Sequence, residues 1–228
     1  MGIDETLLLL RAENKIPDTF RFYSFFPSCV SIGYFQSLRS SIDFDYCNRN
    51  NIDHVRRITG GGNVFHDSCG EITYSVVMSE KNAPENILES FEYLYQGIIK
   101  GLKKHNIQAE FKPLNDLFLN SKKLSGSAQT RKFGIILQHG TLMYNSNIEL
   151  MEKVLKISDK KIEIKKRVTT LSNEGHNLDK HELIKSLKEG FEEIYGKSEE
   201  ENLSREELIL AKKLSDEKYE TKEWNNKR

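Results

Sequence analysis

The stretch RRITGGGNVFHD, residues 56 to 67, places three consecutive glycines directly after two arginines. Gly60, Gly61 and Gly62 can bring consecutive backbone N–H groups close to a phosphate or a carboxylate, because glycine has no Cβ. Alternation along the predicted strand DHVRRIT sends Arg56 and Arg57 to opposite faces. A glycine-rich turn with solvated arginines would show the same pattern. The spacing matches neither a P-loop nor GxGxxG, so the loop alone does not identify a nucleotide site.

His66 and Asp67 follow this loop and raise the question of a metal or an acid–base pair. Adjacent side chains in a strand point to opposite faces, which makes the pair a poor bidentate ligand. We therefore expect His66 to be structural, hydrogen-bonded to a backbone group.

A second group of polar residues lies between positions 114 and 144, in LNDLFLNSKKLSGSAQTRKFGIILQHGTLMY. Asn115 and Asp116 precede a predicted strand and could bind a nucleotide or a phosphate-bridging Mg²⁺. Lys123 is a point cation at the mouth of a predicted small-residue turn over 125–128, with room for a bulky ligand. Lys122 is expected to be solvated on a hairpin.

The composition excludes several classes of function. Lys+Arg and Asp+Glu both number 34 in 228 residues, and this balance argues against a nucleic-acid partner. No apolar run approaches the roughly 20 residues that cross a bilayer, and the N-terminus lacks a basic signal-peptide region. Cys29, Cys47 and Cys69 are widely spaced, so neither a disulfide framework nor a zinc site is indicated. We expect a cytoplasmic protein.

Strand and helix patterns alternate without the regular βαβ rhythm of a doubly wound fold. Strands are predicted in FRFYSFF, CVSIGYF, EITYSVVM and KFGIILQHGTLMY, the last of these flanked by Gly134 and Gly140. Apolar faces predict helices over 87–102 and 183–194, the second ending at Gly196. Ser204-Arg205-Glu206-Glu207 has the form of a capping box. Residues 198–228 are predicted to be a surface helix with a loosely held tail, in which Trp224 indicates docking.

Taken in order, these stretches resemble the lipoate–protein ligase family, which is related to the biotin ligases. The matching stretches are MGIDETLLL, PSCVSIGYFQ, RRITGGGNVFHD, GEITYSVV, NDLFLNSKKLSGSAQTRKFGIILQHGTLMY and KKRVTTL. Each stretch is a weak signal, whereas the ordered set spans nearly the whole chain and is specific.

The resemblance implies an α+β fold with mixed, largely antiparallel β-sheets flanked by helices, as in class II synthetases. It implies a catalytic domain over 1–197, with the charged segment 198–228 belonging to the same domain. It also implies a two-step reaction, in which lipoate and ATP with Mg²⁺ give lipoyl-AMP and pyrophosphate, and an acceptor lysine then takes the lipoyl group. Positioning and charge neutralisation supply most of what such chemistry needs.

Matching positions imply a role for each candidate residue. Lys123 would contact the activated carboxyl and phosphate, as the catalytic residue. Asn115 and Asp116 would serve the nucleotide and metal, with Asp116 as the Mg²⁺ ligand. The remaining lipoyl- and adenylate-binding candidates are Arg57, Gly60, Gly61, Gly62, Asn63, His66, Gly126, Ser127, Ala128, His139 and Gly140. Of these, His139 is expected to act from behind the residues that touch the ligand.

Three other interpretations remain open. A cysteine-dependent octanoyl or lipoyl transferase of the same superfamily carries its cysteine shortly before the ND region, whereas the corresponding segment here, IQAEFKPLND, has none. Cys69 is the cysteine beside the glycine loop, and Arg57 or Lys123 could activate its thiolate. A non-catalytic binder of lipoyl-AMP or of acceptor domains would have less need of Lys123. A biotin ligase would carry a GRGRxG loop, which is absent.

The resemblance also implies partners. The acceptors would be lipoyl domains of 2-oxoacid dehydrogenases or the glycine-cleavage carrier protein. The chain resembles the short form of the family, so we expect a separate accessory subunit to be needed for adenylation. Lipoate and octanoate present a carboxylate on similar apolar chains, and the sequence does not separate them.

Overall fold

Two β-sheets form the centre of the molecule. The computed structural model describes residues 1–156 and 163–227. Its strands are β1 (Thr19–Tyr23), β2 (Cys29–Ile32), β3 (Asp53–Arg56), β4 (Val64–His66), β5 (Glu71–Ser79), β6 (Glu110–Lys112), β7 (Asp116–Leu119), β8 (Lys122–Lys132) and β9 (Ile135–Met143). An antiparallel six-stranded sheet has the order β1-β5-β9-β8-β7-β6, and a three-stranded sheet has the order β3-β2-β4. Among these strands only the β2–β3 pairing is parallel, and one further parallel bridge joins Lys123 to Val168. The predicted largely antiparallel α+β fold is confirmed.

Helices flank the sheets. They are α1 (Gly2–Ala12), α2 (Leu38–Ser41), α3 (Phe44–Arg49), α4 (Ile87–Lys103), α5 (Ile148–Val154), α6 (Ile164–Arg167), α7 (Lys180–Tyr195), α8 (Arg205–Leu214) and α9 (Lys222–Asn225), with a π-helical turn at Ser215–Tyr219. The long helices α4 and α7 begin at Asn86 and Asp179, whose side chains accept hydrogen bonds from first-turn amides. The predicted C-cap of α7 is confirmed, since Gly196 has φ 95°.

The main apolar core lies between the six-stranded sheet and helices α4 and α7. Leu94, Ile98 and Leu102 of α4 and Leu187 and Phe191 of α7 are fully buried in it. These positions follow the predicted helical faces. Helices α4 and α7 therefore cover one side of the large sheet, while α1 packs on Val77 of β5 and on Ile135 and Leu137 of β9.

Two local predictions are wrong. Gly140 lies within β9 and does not flank it, because β9 pairs continuously with β5 from Ile135 to Met143. The small residues 125–128 form the middle of β8 and are not a turn. Ser125 and Gly126 pair with both β7 and β9, and Ser127 and Ala128 pair with β9. The turn comes earlier, at Asn120 and Ser121, which have φ 48° and 65° as a two-residue hairpin loop requires. The predicted strands β1 and β2 are consecutive in the chain but belong to different sheets.

The C-terminal segment is held firmly, contrary to the predicted loose tail. The capping box at Ser204 is confirmed. Tyr219 is buried in a cluster with Leu7 and Leu8 of α1. Trp224 donates its indole N–H to the Arg56 carbonyl at 2.8 Å, so the expected docking point is the end of β3. Arg228 lies outside the described residues, and the division at residue 197 stays a prediction.

A bilayer-spanning helix is not found in residues 1–156 or 163–227, since none there is both long and apolar enough.

Candidate active site

A cleft opens where the two sheets meet, and polar groups converge on it, as in a typical small-molecule site. The large sheet contributes Thr73, Gly126, Ser127, Ala128, His139, Gly140 and Thr141; the small sheet and its loops contribute Ser31, Gly61, Gly62, Asn63, Val64 and His66; further lining comes from Met1, Tyr23, Phe25, Arg57, Asn115 and Lys123. The structure thus brings together most of the candidates predicted from distant parts of the chain. Gly60 and Asp116 do not line the cleft. Their roles, and ligand binding by the others, stay predictions.

The two arginines before the glycines point to opposite sides, as alternation predicts. Arg56 contacts the C-terminal segment, with its backbone N–H donated to Asn225 Oδ1 at 2.7 Å and its Nε donated to the Trp224 carbonyl at 3.2 Å. Its Nη1 also donates to the carbonyls of Gly33 and Gln36. Arg56 is therefore a structural residue that joins the small sheet to the end of the chain.

Arg57 is directed into the site, where its guanidinium holds the glycine loop. Its Nη2 donates to the carbonyls of Gly60 and Gly62 at 2.8 and 2.6 Å. Its Nη1 donates to the Ser31 carbonyl and hydroxyl, and its Nε donates to Thr59 Oγ1. All five N–H groups are thus used within the protein. The expectation that Arg57 lies near the ligand needs refinement, because it lines the cleft but acts on the loop that borders it.

Burial lowers the pKa of Arg57 to about 10, so the guanidinium is still charged at neutral pH. The charge is therefore retained at the wall of the cleft. Gly61 has φ 86°, and a Cβ at this position would lie 2.9 Å from Arg57 Nη2. The glycine at position 61 therefore allows both the backbone conformation and the close approach of the guanidinium.

His139 lies on β9 and joins α1 to the glycine loop. Its Nδ1 is 2.9 Å from Asp4 Oδ2, and its Nε2 is 2.7 Å from Thr59 Oγ1. Burial lowers the pKa of His139, although the Asp4 carboxylate opposes this effect. Burial alone would raise the pKa of Asp4, but the hydrogen bond with His139 and the charge of Arg21 outweigh it and hold that pKa below its usual range. His139 is therefore neutral beside an ionised Asp4. It lines the cleft itself, whereas its partner Thr59 does not, and its expected indirect role stays a prediction.

His66 makes an equivalent pair of contacts on the opposite side of Arg57. Its Nδ1 is 2.8 Å from Glu71 Oε1, and its Nε2 is 2.8 Å from Ser31 Oγ. Thr73 Oγ1 also donates to Glu71 Oε1 at 2.7 Å. The predicted backbone partner for His66 is wrong, since both ring nitrogens contact side chains. His66 also borders the cleft, with its ring stacked on Phe25 at 4.1 Å between centroids.

Lys123 reaches the cleft through an irregularity in β8. Phe118 pairs with Lys123 while the preceding Leu117 pairs with Ser125, which leaves Leu124 as an extra residue on β8. Residues three apart in a regular strand face opposite sides, and the bulge brings Lys123 and Gly126 to the same side. A Cβ at Gly126 would lie 2.8 Å from Lys123 Nζ, so the ammonium passes directly over this glycine.

The Lys123 ammonium pairs with Asp116 Oδ1 at 2.6 Å, and its side chain remains 37% exposed. The stretch KKRVTTL, singled out in the sequence, supports the backbone here, because Thr169 N donates to the Lys123 carbonyl at 2.9 Å. Asp116 therefore acts on Lys123 in this structure. We infer that a ligand anion entering the cleft competes with Asp116 for the ammonium.

Asn115 and Asp116 fit the expected nucleotide and metal roles to different degrees. Asn115 lines the cleft and donates its side-chain amide to the Ser127 carbonyl. The described residues include no group of three His, Cys, Asp or Glu side chains that could hold a metal. Mg²⁺ commonly takes only one or two carboxylates and completes its shell with water and substrate phosphates. Asp116 is thus suited only to a Mg²⁺ that arrives with a nucleotide.

Sequence reasoning missed the groups behind the cleft wall. These are Asp4, Thr59 and Glu71, together with Ser31, Phe25 and Thr73 on the wall itself. One signal was available for Asp4, which shares a helical face with Leu7 and Leu8. A carboxylate on an apolar face is rarely buried unless a polar partner compensates it.

None of the chain's three cysteines lines the cleft. Cys47 is buried in another part of the core, and burial raises the pKa of Cys29 to about 12, which disfavours its thiolate. Cys69 is exposed, with the Ser68 hydroxyl 3.7 Å from its Sγ. Neither Arg57 nor Lys123 contacts Cys69 in the described part of the chain, so the expected means of activating this thiol is not seen.

The segment 107–116 lies beside the cleft. By the resemblance described above, it corresponds to the stretch that carries the catalytic cysteine in the octanoyltransferase branch. It supplies the cleft-lining Asn115, whose carbonyl accepts a hydrogen bond from the buried Tyr95 hydroxyl at 3.0 Å. The segment therefore borders the cleft and contains no cysteine.

Comparison with known proteins identifies the family. Residues 1–192 match the family model described as the lipoyl protein ligase A/B catalytic domain. The chain belongs to this family. The octanoyltransferase LipM of Clostridioides difficile (strain 630) is 34% identical over 259 aligned positions, covering all of this chain and 94% of the relative.

Solved structures of the family superpose on the whole chain. A structure described as lipoate-protein ligase A bound with ATP is 28% identical, with a TM-score of 0.87 over 99% of this chain and 92% of that one. A bi-partite lipoate protein ligase from Thermoplasma acidophilum, described with its E2 lipoyl domain, is 28% identical. Its TM-score is 0.86 over 99% of this chain and 89% of that one. The predicted family and fold are thereby confirmed.

The chain is accordingly an enzyme of the superfamily that contains lipoate ligases and octanoyltransferases. The name of the similar relative fits the cysteine-dependent octanoyltransferase alternative better than the ATP-dependent ligase. The superpositions on ligases show the fold that the two kinds of enzyme share.

Proposed function

We propose that the chain transfers an octanoyl or lipoyl group from an acyl-adenylate to a lysine amine of a lipoyl domain. The observation that carries this proposal is the meeting of Lys123 and the Gly61–Asn63 loop in one cleft that no cysteine lines. An acyl donor that arrives already activated needs cations and N–H groups at its phosphate, and no protein nucleophile. The described cleft offers those groups.

In the proposed transfer, the neutral amine of the acceptor lysine attacks the carbonyl carbon of the mixed anhydride. A C–N bond forms, the C–O bond to the phosphate breaks, and AMP leaves with the electron pair. The attacking nitrogen loses its extra proton to solvent. The Lys123 ammonium, freed from Asp116, would neutralise charge on the carbonyl and phosphate oxygens as it develops, while backbone N–H groups of the loop would bind the phosphate.

Formation of the adenylate is the first half of this proposal. The carboxylate oxygen of the free acid would attack the α-phosphate of ATP, and pyrophosphate would leave. Asp116 would hold the Mg²⁺ that neutralises the phosphates, and Asn115 would border the nucleotide. The bi-partite description of the Thermoplasma neighbour supports a separate accessory chain for this step. The same description, which includes an E2 lipoyl domain, supports that class of acceptor.

A second candidate is an octanoyltransferase that forms a thioester on its own cysteine, with an octanoyl carrier protein as donor. The LipM name of the similar relative favours it. In this chain the exposed Cys69 is the accessible thiol, and it lies outside the cleft lining. The acyl group would have to move from Cys69 into the cleft, which makes this candidate harder to reconcile with the geometry.

Intact-mass measurement of a lipoyl domain separates the candidates. The purified chain is incubated with the domain and one donor at a time: octanoate plus ATP and Mg²⁺, octanoyl-AMP, or octanoyl carrier protein, with lipoate replacing octanoate in a parallel series. We expect acylation from acyl-AMP, and little from the free acid plus ATP unless an accessory chain is supplied. Acylation from the carrier protein alone would contradict the proposal.

Cysteine variants provide the matched control. Cys69→Ser and Cys29→Ser should both keep transfer from octanoyl-AMP within about twofold of the unchanged chain, because serine preserves size and neither thiol is used. A large loss in Cys69→Ser with none in Cys29→Ser would favour the thioester route. Tight binding of acyl-AMP without any transfer would instead favour a non-catalytic binder.

A further inference from the structure

Two hydrogen-bonded chains of the same composition converge on the Arg57 guanidinium. One runs from Asp4 through His139 and Thr59 to Arg57 Nε, with distances of 2.9, 2.7 and 3.1 Å. Each of its members is buried. It therefore connects α1 to the guanidinium through buried side chains, of which His139 and Arg57 also line the cleft.

The other chain runs from Glu71 through His66 and Ser31 to Arg57 Nη1, with distances of 2.8, 2.8 and 3.1 Å. Its members are also buried. Each chain thus has a carboxylate, an imidazole and a hydroxyl in the same order, and they reach Arg57 on two different nitrogens.

The direction of the hydrogen bonds is the same in both chains. Arginine can only donate, so Thr59 and Ser31 accept from Arg57 through their hydroxyl oxygens. Each hydroxyl then donates to an imidazole Nε2, and each imidazole donates its Nδ1–H to a carboxylate. A neutral imidazole with its proton on Nδ1 satisfies every group in both chains. Protonation of either ring would leave a hydroxyl hydrogen without its acceptor in the chain.

The charges agree with this assignment. Within the described residues Arg57 has no carboxylate at ion-pair distance, although a buried cation requires compensation. Asp4 and Glu71 supply two negative charges, Arg57 supplies one positive charge, and Arg21 supplies another through its 2.6 Å contact with Asp4. The amino group of Met1 also acts on Asp4 and His139, and burial lowers its pKa. Neutral imidazoles add no further positive charge to this group, and the counter-charges of Arg57 lie at the far ends of the chains.

The glycine loop, residues 60 to 62, is oriented by the Arg57 guanidinium that the two chains hold in place. The carbonyls of Gly60 and Gly62 are directed to Arg57, and the Gly61 carbonyl packs against Gly33, where a Cβ would lie 1.9 Å from it. The backbone amides of residues 60 to 62 donate to no protein acceptor within the described part of the chain. With the carbonyls held by the protein, these amides are left for an anion in the cleft.

We propose that Asp4 and Glu71 are positioning residues, which hold Arg57 through the two imidazole–hydroxyl pairs and thereby set the glycine loop for the acyl-adenylate phosphate. This inference rests on the proposed function. Neither carboxylate lines the cleft, so neither would touch the ligand. Each carboxylate also accepts from a cleft-lining hydroxyl, Tyr23 for Asp4 and Thr73 for Glu71, and the two imidazoles line the cleft themselves. The proposed positioning effect is therefore the part of each contribution that requires the Arg57 guanidinium, and this requirement distinguishes it from a general contribution to folding.

Calorimetric titration with octanoyl-sulfamoyl-adenosine, a stable analogue of octanoyl-AMP, tests the inference. We expect Asp4→Asn and Glu71→Gln each to weaken binding by about tenfold, because each removes a charged hydrogen-bond acceptor from its chain. Thr59→Val breaks one chain without removing a charge and should give a similar loss. The matched control is Thr6→Val, since Thr6 is a buried threonine on α1 whose hydroxyl finds no partner among the described residues. It should leave the affinity within about twofold.

Repeating the substitutions in an Arg57→Lys background separates positioning from stability. If both chains act through Arg57, each substitution should then cost less than about twofold in affinity, because the shared partner is already lost. Additive losses in that background, or unchanged affinity in the single variants, would overturn the inference. If Asp4→Asn does not fold, Thr59→Val and Glu71→Gln carry the same test. An unchanged chain that neither binds the analogue nor transfers from octanoyl-AMP would overturn the proposed function, and this inference with it.

Discussion

At the scale of single residues, the position of Lys123 depends on two neighbours. Gly126 leaves space beneath the ammonium, and Asp116 pairs with it at 2.6 Å. The preceding Lys122 is half-buried and does not line the cleft. Two adjacent lysines thus have different surroundings, which makes them a matched pair for mutation.

Lys123→Ala should lower the rate of acyl transfer from octanoyl-AMP by about a hundredfold to a thousandfold, because it removes a preorganised charge at the reacting group. Lys122→Ala should leave the rate within about twofold. The rates are measured by intact mass of the lipoyl domain under single-turnover conditions. Equal losses in the two variants would show that general surface charge, and not the bulge that directs Lys123, matters for transfer.

At the scale of secondary-structure elements, α1 and β9 are joined by the Asp4–His139 contact, and this contact couples the stability of the protein to pH. The pKa of His139 is lowered by burial from its usual 6.5, so between pH 7 and 5 the unfolded chain binds more protons than the folded one. The contribution of neutral His139 to the free energy of unfolding is complete above about pH 6.5 and is lost as the pH falls. The lowered pKa of Asp4 has the same sign at more acid pH.

We therefore expect the free energy of unfolding to decrease from pH 7 to pH 5, as measured by urea denaturation at intervals of one pH unit. His139→Gln should reduce this slope. It should not abolish the slope, because burial also lowers the pKa of His54 on β3. A stability that increases on acidification from pH 7 to 5 would contradict the neutral state assigned to His139.

Elements with local signals were predictable from the sequence, and those set by long-range pairing were not. The apolar faces of α4 and α7 and the Ser204 capping box depend on residues three and four positions apart, so a single sequence contains them. The bulge at Leu124 depends on how β7 pairs with β8, and this pairing cannot be read from the sequence. Without it, the small residues 125–128 were predicted to be a turn. In the site, the glycines and Lys123 could be identified from the sequence because their residue types indicate anion binding. The contact between Asp4 and His139 joins residues 135 positions apart and leaves no local pattern in the sequence.

At the scale of the whole molecule, the C-terminal segment closes the small sheet behind the cleft. Asn225 Oδ1 accepts the backbone N–H of Arg56 at 2.7 Å, and its amide donates to the carbonyls of Tyr219 and Thr221. Arg56 directly precedes Arg57 in the chain, so residues more than 160 positions apart stabilise the strand that carries the glycine loop. The family match ends at residue 192, which places this contact in a segment that the family model does not describe.

Asn225→Ala should lower the free energy of unfolding by about 1–3 kcal/mol, because a buried N–H of Arg56 would lose its acceptor. Urea denaturation at pH 7 measures the change. Asn226→Ala, one residue later and exposed, is the control and should change stability by less than about 0.5 kcal/mol. Similar values for the two variants would mean that the segment adds little to the fold.

The chain has one tryptophan, and it lies at this contact, within 5.7 Å of the Tyr34 ring and 4.3 Å from the Lys218 ammonium. Intrinsic fluorescence excited at 295 nm, where tryptophan alone absorbs appreciably, would consequently report on the contact between the C-terminal segment and β3. It would not average over several sites in the molecule. Emission that shifts before the far-ultraviolet circular dichroism changes would reveal detachment of the C-terminal segment as a separate event. The protein thus contains its own optical probe for the strand that ends at the two arginines.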